Sequence, residues 1–92
     1  MKVKIIWTKK ALRVWERLDK KRQQRIESDL VRLGEYLAGV SSKPPDIKRL
    51  KGILKGFYRL RVGSWRIILA IEPMGNILTI VVMNLTSRGN AY

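Results

Sequence analysis

Residues 57–68 read FYRLRVGSWRII and decide the fold. On both sides of Gly63-Ser64 the side chains follow a period of two, which predicts half-buried strands whose residues alternate between two faces. Glycine at the first central position of a two-residue connection is typical of a type II′ turn between antiparallel strands. The stretch therefore predicts a β-hairpin whose strands cover residues 57–62 and 65–71.

The turn also fixes which side chains share a face of the sheet. Counting outward from it gives three facing pairs, which are Val62 with Trp65, Arg61 with Arg66, and Arg59 with Ile68. Residues that face each other across two strands point to the same side, as do residues two apart on one strand. Arg59, Arg61 and Arg66 are therefore predicted to lie together.

A sequence selected only for the stability of the fold would avoid this arginine cluster. Like charges that face each other across a sheet cost a few tenths to about 1 kcal/mol. No acidic residue lies near these arginines in the sequence. The cluster thus indicates an anion-binding site, and the alternative is that the long guanidinium stems spread into solvent over apolar surface.

The residues before the hairpin predict a strand and two helices. Val3, Ile5 and Trp7 alternate with other side chains, as in a short half-buried strand. Thr8 and Asp19 can each accept a hydrogen bond from the free amides at the start of a helix. The short join between the helices predicts an antiparallel helical hairpin. An apolar stripe follows each cap, and the two stripes are Ala11, Val14, Trp15 and Leu18, then Ile26, Leu30, Leu33 and Leu37.

The remaining segments complete the fold class. Residues 39–56 are rich in glycine, proline and serine, which predicts a connection with little regular structure. Residues 73–76 predict a second turn, and residues 77–83 predict a third apolar strand after the connection. The class is α+β, with an N-terminal strand, a helical hairpin and three antiparallel strands that form a four-stranded sheet. We expect a single domain over residues 1–92.

The amino-acid composition narrows the range of possible functions. The chain has 20 Lys and Arg against 7 Asp and Glu, and its net charge of +13 predicts a polyanionic partner. It has no cysteine, which excludes disulfides and thiol nucleophiles, and no histidine, which is the usual general acid or base and a common metal ligand. No apolar run is long enough for a membrane span or a signal peptide. We expect a cytoplasmic protein without a metal or other cofactor.

The C-terminal tail adds to the arginine cluster. The last strand must run antiparallel to residues 65–71, so its end is predicted to lie beside Trp65 and Arg66. The tail would then add Arg88 as a fourth guanidinium and Tyr92 as an aromatic ring. Arginine donates two parallel hydrogen bonds to phosphate, and an aromatic ring stacks on an unpaired base. Together these groups fit a site for single-stranded RNA.

Three segments resemble the RelE/ParE superfamily of toxins from type II toxin–antitoxin systems, over nearly the whole chain. They are residues 47–52 (IKRLKG), residues 57–68 and residues 87–92 (SRGNAY). The first two are specific for the superfamily, and the arginine and tyrosine of the third indicate its RelE-like branch. The resemblance implies a RelE-like, microbial-RNase-like fold. It also implies an mRNA interferase, a ribosome-dependent endoribonuclease that cuts the codon in the A site and inhibits translation.

Site residues and partners follow from the resemblance and from the basic connection. The resemblance implies that the catalytic residues are Arg59, Arg61, Arg66, Arg88 and Tyr92. Four basic residues of segment 39–56 are expected to bind RNA, namely Lys48, Arg49, Lys51 and Lys55. The implied partners are the ribosome, mRNA and a small acidic RelB-like antitoxin, through which the complex would bind operator DNA.

The chain departs from the family at two places, and two other functions stay open. The best-studied bacterial members have lysines where this chain has Arg59 and Arg61, and Thr86 stands where a further basic residue is often found. Arginine stays protonated, so the general acid and base are not assigned. A ParE-type toxin would block DNA gyrase and cut no RNA. A noncatalytic RNA-binding module would show salt-dependent binding without cleavage.

Overall fold

The computed structural model describes residues 2–87 and confirms the α+β class, with an N-terminal strand, two helices and a mainly antiparallel sheet. The elements in chain order are β1 (Lys2–Trp7), α1 (Lys9–Glu16), α2 (Lys20–Leu37), β2 (Ile47–Arg49), a 3₁₀ turn (Gly52–Leu54), β3 (Tyr58–Val62), β4 (Trp65–Met74) and β5 (Ile77–Ser87). The described strands form one sheet in the order β1-β5-β4-β3-β2, in which β1 runs parallel to β5 and the other neighbours run antiparallel.

The predicted four-stranded sheet is corrected to five strands over residues 2–87. The added strand is β2, which lies inside the segment predicted to be an irregular connection. It pairs with β3, so that Ile47 faces Leu60 and Lys48 faces Arg59. Three residues between proline-rich and glycine-rich stretches are too few to show a period of two, so the sequence pattern does not reveal this strand.

The central hairpin has the predicted register, with Arg61 opposite Arg66 and Val62 opposite Trp65. Gly63 has a φ angle of +61°, and every residue with positive φ in the described range is a glycine. Ser64 therefore has a negative φ angle, as the second central residue of a type II′ turn requires. Both later strands extend beyond their predicted ends, because β4 continues to Met74 and β5 continues to Ser87.

Both helices pack on one face of the sheet. The 3.6-residue period places the stripe of α2 on a single side of that helix, where it meets the apolar face of the strands. Each residue at the centre of this core is at most 1% exposed, and the group is Ile26, Leu30, Leu33, Leu60, Ile67, Leu69, Ile80 and Val82. Neither helix has the length and apolar character that crossing a membrane requires. The alternating side chains of the strands point to the opposite face.

Thr8 joins the first helix to the sheet through one hydroxyl. Its Oγ1 accepts a hydrogen bond from the Ala11 amide at 3.2 Å and donates one to the Met83 carbonyl oxygen at 3.0 Å. Met83 is the residue without a cross-strand partner at the register shift between β4 and β5. The hydroxyl therefore caps α1 and satisfies a carbonyl group of the shifted segment.

Thr8→Ala is expected to lower the free energy of unfolding by about 1–2 kcal/mol, because both hydrogen bonds are lost together. Urea unfolding at equilibrium measures the change. Thr8→Ser keeps the hydroxyl and is expected to retain most of the stability. Equal losses in the two variants would show that the methyl group, and not the hydroxyl, stabilises this junction.

Candidate nucleic-acid interface

The register of β3 and β4 brings three arginines together on the face of the sheet away from the helices. Arg61 faces Arg66, and Arg59 is two residues from Arg61 on β3, so all three side chains leave the sheet on the same side. β2 adds Lys48, which faces Arg59. We call the surface formed by Lys48, Arg59, Arg61 and Arg66 the arginine face.

The members of the arginine face differ in exposure. The Arg59 side chain is 11% exposed, whereas the Arg61 side chain is 54% exposed. All four members line an open depression of about 420 Å³, which lies within the range of about 300–1,000 Å³ typical of ligand pockets. The buried Arg59 guanidinium therefore forms part of the floor of this depression, and Arg61 stands at its surface.

Asp46 is an acidic residue that contacts the arginine face. Its Oδ1 atom lies 3.5 Å from Arg59 Nη1, and its Oδ2 atom lies 4.0 Å from Arg61 Nε. Its backbone carbonyl oxygen accepts a hydrogen bond of 2.9 Å from the Arg61 amide, which extends the pairing of β2 with β3 by one residue. Sequence reasoning missed this contact, because Asp46 is separated from Arg59 by thirteen positions and reaches it only through β2.

Like-charged residues face each other on the arginine face. Arg61 faces Arg66 and Lys48 faces Arg59, and each such like-charged pair costs a few tenths to about 1 kcal/mol. The contacts of Asp46 are long, and an ion pair at a partly exposed site contributes about 0–1 kcal/mol. One carboxylate therefore offsets only part of the repulsion, and a bound anion would offset more.

Two buried polar atoms on this side of the sheet support the same conclusion. Arg59 Nη1 and Thr86 Oγ1 are buried without a hydrogen-bond partner among the described residues. Thr86 faces Arg66 across β4 and β5. A buried donor that lacks a partner costs about 1–3 kcal/mol, so the oxygen atoms of a bound anion would stabilise this region. Thr86 belongs to the candidate site, although the sequence marks it only as a departure from the family.

The four basic residues predicted to bind RNA are not all on one surface. Lys48 belongs to the arginine face, and Lys51 lines its depression. Arg49 faces Tyr58 on the helix side of the sheet edge, and its guanidinium carbon lies 6.0 Å from the centre of the Tyr58 ring. Lys51 and Lys55 line a second cavity of about 470 Å³ together with Arg49 and Tyr58. The two cavities share Arg49, Leu50 and Lys51, so they meet at β2.

The end of β5 lies where the sequence places it. Ser87 faces Trp65 and Thr86 faces Arg66, so the strand finishes beside the arginine face. Two predicted catalytic residues, Arg88 and Tyr92, lie outside the described residues. Of the predicted catalytic set, Arg59, Arg61 and Arg66 are brought together by the sheet.

A smaller basic region lies beside the hairpin turn. The Arg25 guanidinium of α2 lies where it would meet a Cβ atom at position 63, and Arg22 forms an ion pair of 2.9 Å with Asp19 at the start of the same helix. Ser64 and Trp65 lie between these helix residues and the arginine face. Both residues line one cavity on the side of the arginine face and another on the side of the helix residues. Positive charge thus continues around the turn, which extends the surface available to a long polyanion.

The fold and a cationic sheet face define a small α+β protein that is suited to a polyanionic ligand. A family model described as the ParE toxin of type II toxin–antitoxin systems, parDE, matches residues 5–92. The chain belongs to this family and is therefore a toxin of a type II toxin–antitoxin system in the RelE/ParE superfamily. The membership of the RelE/ParE superfamily, which residues 47–52 and 57–68 predict, is confirmed.

Solved structures share the fold. A chain of the RelBE2 toxin–antitoxin complex from Mycobacterium tuberculosis matches with a TM-score of 0.74 and 19% identity, over 96% of this chain and 100% of that chain. A chain of the archaeal RelE–RelB complex from Pyrococcus horikoshii matches with a TM-score of 0.69 and 22% identity, over 99% of this chain and 100% of that chain. A YoeB/ParE toxin from Agrobacterium tumefaciens matches with a TM-score of 0.67 and 20% identity, over 92% of this chain and 98% of that chain. A search of curated protein sequences finds no match.

Proposed function

We propose that this toxin is a ribosome-dependent endoribonuclease that cleaves mRNA in the A site and thereby stops translation. The observation that carries the proposal is the arginine face, where three guanidinium groups and Lys48 share one side of the sheet. The buried Arg59 Nη1 atom makes no hydrogen bond within residues 2–87 and is suited to a phosphate oxygen.

The proposed reaction uses the 2′-hydroxyl of the substrate as the nucleophile. The 2′-oxygen loses its proton and bonds to the adjacent phosphorus, while the bond from phosphorus to the 5′-oxygen breaks and that oxygen gains a proton. The products are a 2′,3′-cyclic phosphate and a 5′-hydroxyl. Arg59, Arg61 and Arg66 stabilise the negative charge on the phosphoryl oxygens, and Arg88 acts near the scissile phosphate or the leaving oxygen. Tyr92 stacks on a base and is a candidate for removing the proton.

Positioning and electrostatic stabilisation supply most of the rate in this mechanism. Loss of one well-placed donor to a developing oxyanion costs about 10²–10³ in rate in other enzymes. Arginine is a poor proton donor because it holds its proton tightly. The toxin therefore gains most from a substrate that is already ordered, and in the proposal the ribosome orders the mRNA in the A site.

We propose a small acidic antitoxin as the partner that keeps the toxin inactive. The net charge of +13 favours an acidic chain, and a flexible segment that folds on binding can cover a large surface. The similar structure from Mycobacterium tuberculosis is described as a toxin–antitoxin complex, and the one from Pyrococcus horikoshii is described as a RelE–RelB complex. In the proposal the complex binds operator DNA through the antitoxin, and the toxin acts in the cytoplasm, where ribosomes are.

Inhibition of DNA gyrase is the second candidate function, and the match to the ParE family model favours it. The two functions give opposite results in one experiment. The toxin is incubated with translating ribosomes and, in parallel, with gyrase and supercoiled DNA. We expect cut mRNA at A-site codons and unchanged DNA. Intact mRNA together with accumulating DNA breaks would contradict the RNase proposal.

The tail residues give a further test of the proposal. Arg88→Ala and Tyr92→Ala are each expected to abolish growth arrest and to lower mRNA cleavage on ribosomes by at least about 100-fold, because each removes a group assigned to the reaction. Primer extension on ribosome-bound mRNA measures cleavage, and thermal unfolding checks that both variants remain folded. Cleavage at the wild-type rate in both variants would remove the tail from the proposed site.

A further inference from the structure

We propose that Asp46 is an internal substitute for phosphate, which occupies the anion subsite of Arg59 and Arg61 until RNA displaces it. This inference rests on the proposed function only in taking an RNA phosphate as the ligand. A carboxylate resembles one edge of a phosphate group, because both present two oxygen atoms to guanidinium donors. In this structure the two carboxylate oxygens contact two different arginines, as oxygens of a bridging phosphate would.

The contact distances show an ion pair that is easily replaced. The separations of 3.5 Å and 4.0 Å exceed ordinary lengths for charge-assisted hydrogen bonds, which are about 2.7–2.9 Å. Arg59 Nη1 has no hydrogen-bond partner within residues 2–87, so Asp46 neutralises charge without satisfying this donor. A phosphate that approached Arg59 to hydrogen-bond distance would bind it more strongly than Asp46 does.

The backbone around Asp46 lets the side chain move without unfolding β2. The Asp46 carbonyl oxygen is held by the Arg61 amide at 2.9 Å, and the Ile47 amide donates to the Pro45 carbonyl oxygen at 2.8 Å. The Asp46 side chain itself is 55% exposed. Rotation about its side-chain bonds can therefore carry the carboxylate into solvent while the pairing of β2 with β3 remains intact.

Asp46 would then weaken RNA binding by the free toxin. RNA must displace the carboxylate before it can contact both arginines, and the displaced negative charge stays close to the bound phosphate. Ligands that supply many contacts at once, such as mRNA held in the ribosome, overcome this competition more readily than isolated RNA does. Asp46 is thus a specificity-determining residue that disfavours RNA outside the ribosome.

The test measures binding of a short 2′-O-methyl oligoribonucleotide, which cannot undergo attack by a 2′-hydroxyl, to the toxin without ribosomes. Asp46→Asn is compared with Asp29→Asn, which makes the same change of charge at an ion pair of 3.7 Å with Arg32 on α2. At low salt, we expect the affinity of Asp46→Asn for the oligoribonucleotide to be at least about fivefold higher than that of Asp29→Asn. A plot of log affinity against log salt concentration should also be steeper for Asp46→Asn than for Asp29→Asn, because about one more counterion is released on binding.

The same comparison in an Arg61→Gln background tests whether the effect passes through the subsite. There the advantage of Asp46→Asn over Asp29→Asn is expected to shrink, because one of the two arginines is gone. Equal affinities of Asp46→Asn and Asp29→Asn, or weaker binding by Asp46→Asn, would overturn the inference. Failure of the proposed function is seen separately, as intact mRNA when wild-type toxin is mixed with ribosomes.

Discussion

Arg61→Gln is expected to lower mRNA cleavage on ribosomes by about 100-fold or more while the fold stays intact. The side chain is 54% exposed, and its guanidinium makes only a long contact of 4.0 Å with Asp46 among the ion pairs of the described residues. Its loss also relieves the repulsion across the sheet from Arg66. The free energy of unfolding should therefore remain unchanged or rise slightly, whereas the phosphate loses a charged donor.

The matched control is Arg32→Gln, which removes one positive charge from an exposed position of α2, where Arg32 pairs with Asp29 at 3.7 Å. This variant has the same net charge as Arg61→Gln, so any general loss of attraction to ribosomal RNA affects both equally. Single-turnover cleavage on saturating ribosomes separates the chemical step from binding. Equal rates for the two variants would show that Arg61 contributes only general charge.

Leu60→Ala is expected to lower the free energy of unfolding by about 2–5 kcal/mol. Leu60 is 0% exposed, and it faces both Ile67 on β4 and Ile47 on β2. Its removal leaves a cavity at the point where the arginine-bearing strands pack on the helices. For a domain of this size a loss of about 3 kcal/mol lowers the melting temperature by roughly 12–24 °C.

Leu60→Met is the control for this substitution, because it nearly conserves volume and is expected to cost less than about 1.5 kcal/mol. Circular dichroism during heating measures both variants. Below its melting temperature Leu60→Ala should still cleave mRNA, since it removes no charged group. A change below about 1 kcal/mol for Leu60→Ala would contradict the buried position between β2 and β4.

The sequence predicts the central hairpin and the cluster of Arg59, Arg61 and Arg66 because both follow from local rules. A period of two assigns the strands, and Gly63-Ser64 has the residues that a type II′ turn requires. Once the turn is fixed, the register follows by counting. The stripe Ile26, Leu30, Leu33 and Leu37 likewise predicts a helix face that packs in the core.

The features that the sequence does not predict depend on a single short strand. β2 has three residues at the edge of the sheet, and its register with β3 decides which side of the sheet each of its side chains occupies. That register places Lys48 beside Arg59, turns Arg49 toward Tyr58 and brings Asp46 to the arginines. Local patterns do not report such long-range pairing, so the basic residues of segment 39–56 looked equivalent in the sequence.

The basic residues that give the net charge of +13 fall into two groups by their position in the fold. Lys48, Arg59, Arg61 and Arg66 lie on one face, where a phosphate can contact several of them at once. The cations around the hairpin turn and on the helices lie farther away, and their attraction for a polyanion has no defined geometry. In the proposed function the first group acts on the reacting phosphate, and the second group promotes association with the ribosome.

Analysis of the ends of cleaved mRNA tests the central claim most directly. Wild-type toxin is mixed with ribosomes that hold a defined codon in the A site, and the ends of the products are determined by enzymatic labelling and mass spectrometry. Attack by the 2′-hydroxyl predicts a 2′,3′-cyclic phosphate on the upstream fragment and a 5′-hydroxyl on the downstream fragment. Intact mRNA, or fragments that carry a 5′-phosphate and a free 3′-hydroxyl, would contradict this function for the arginine face.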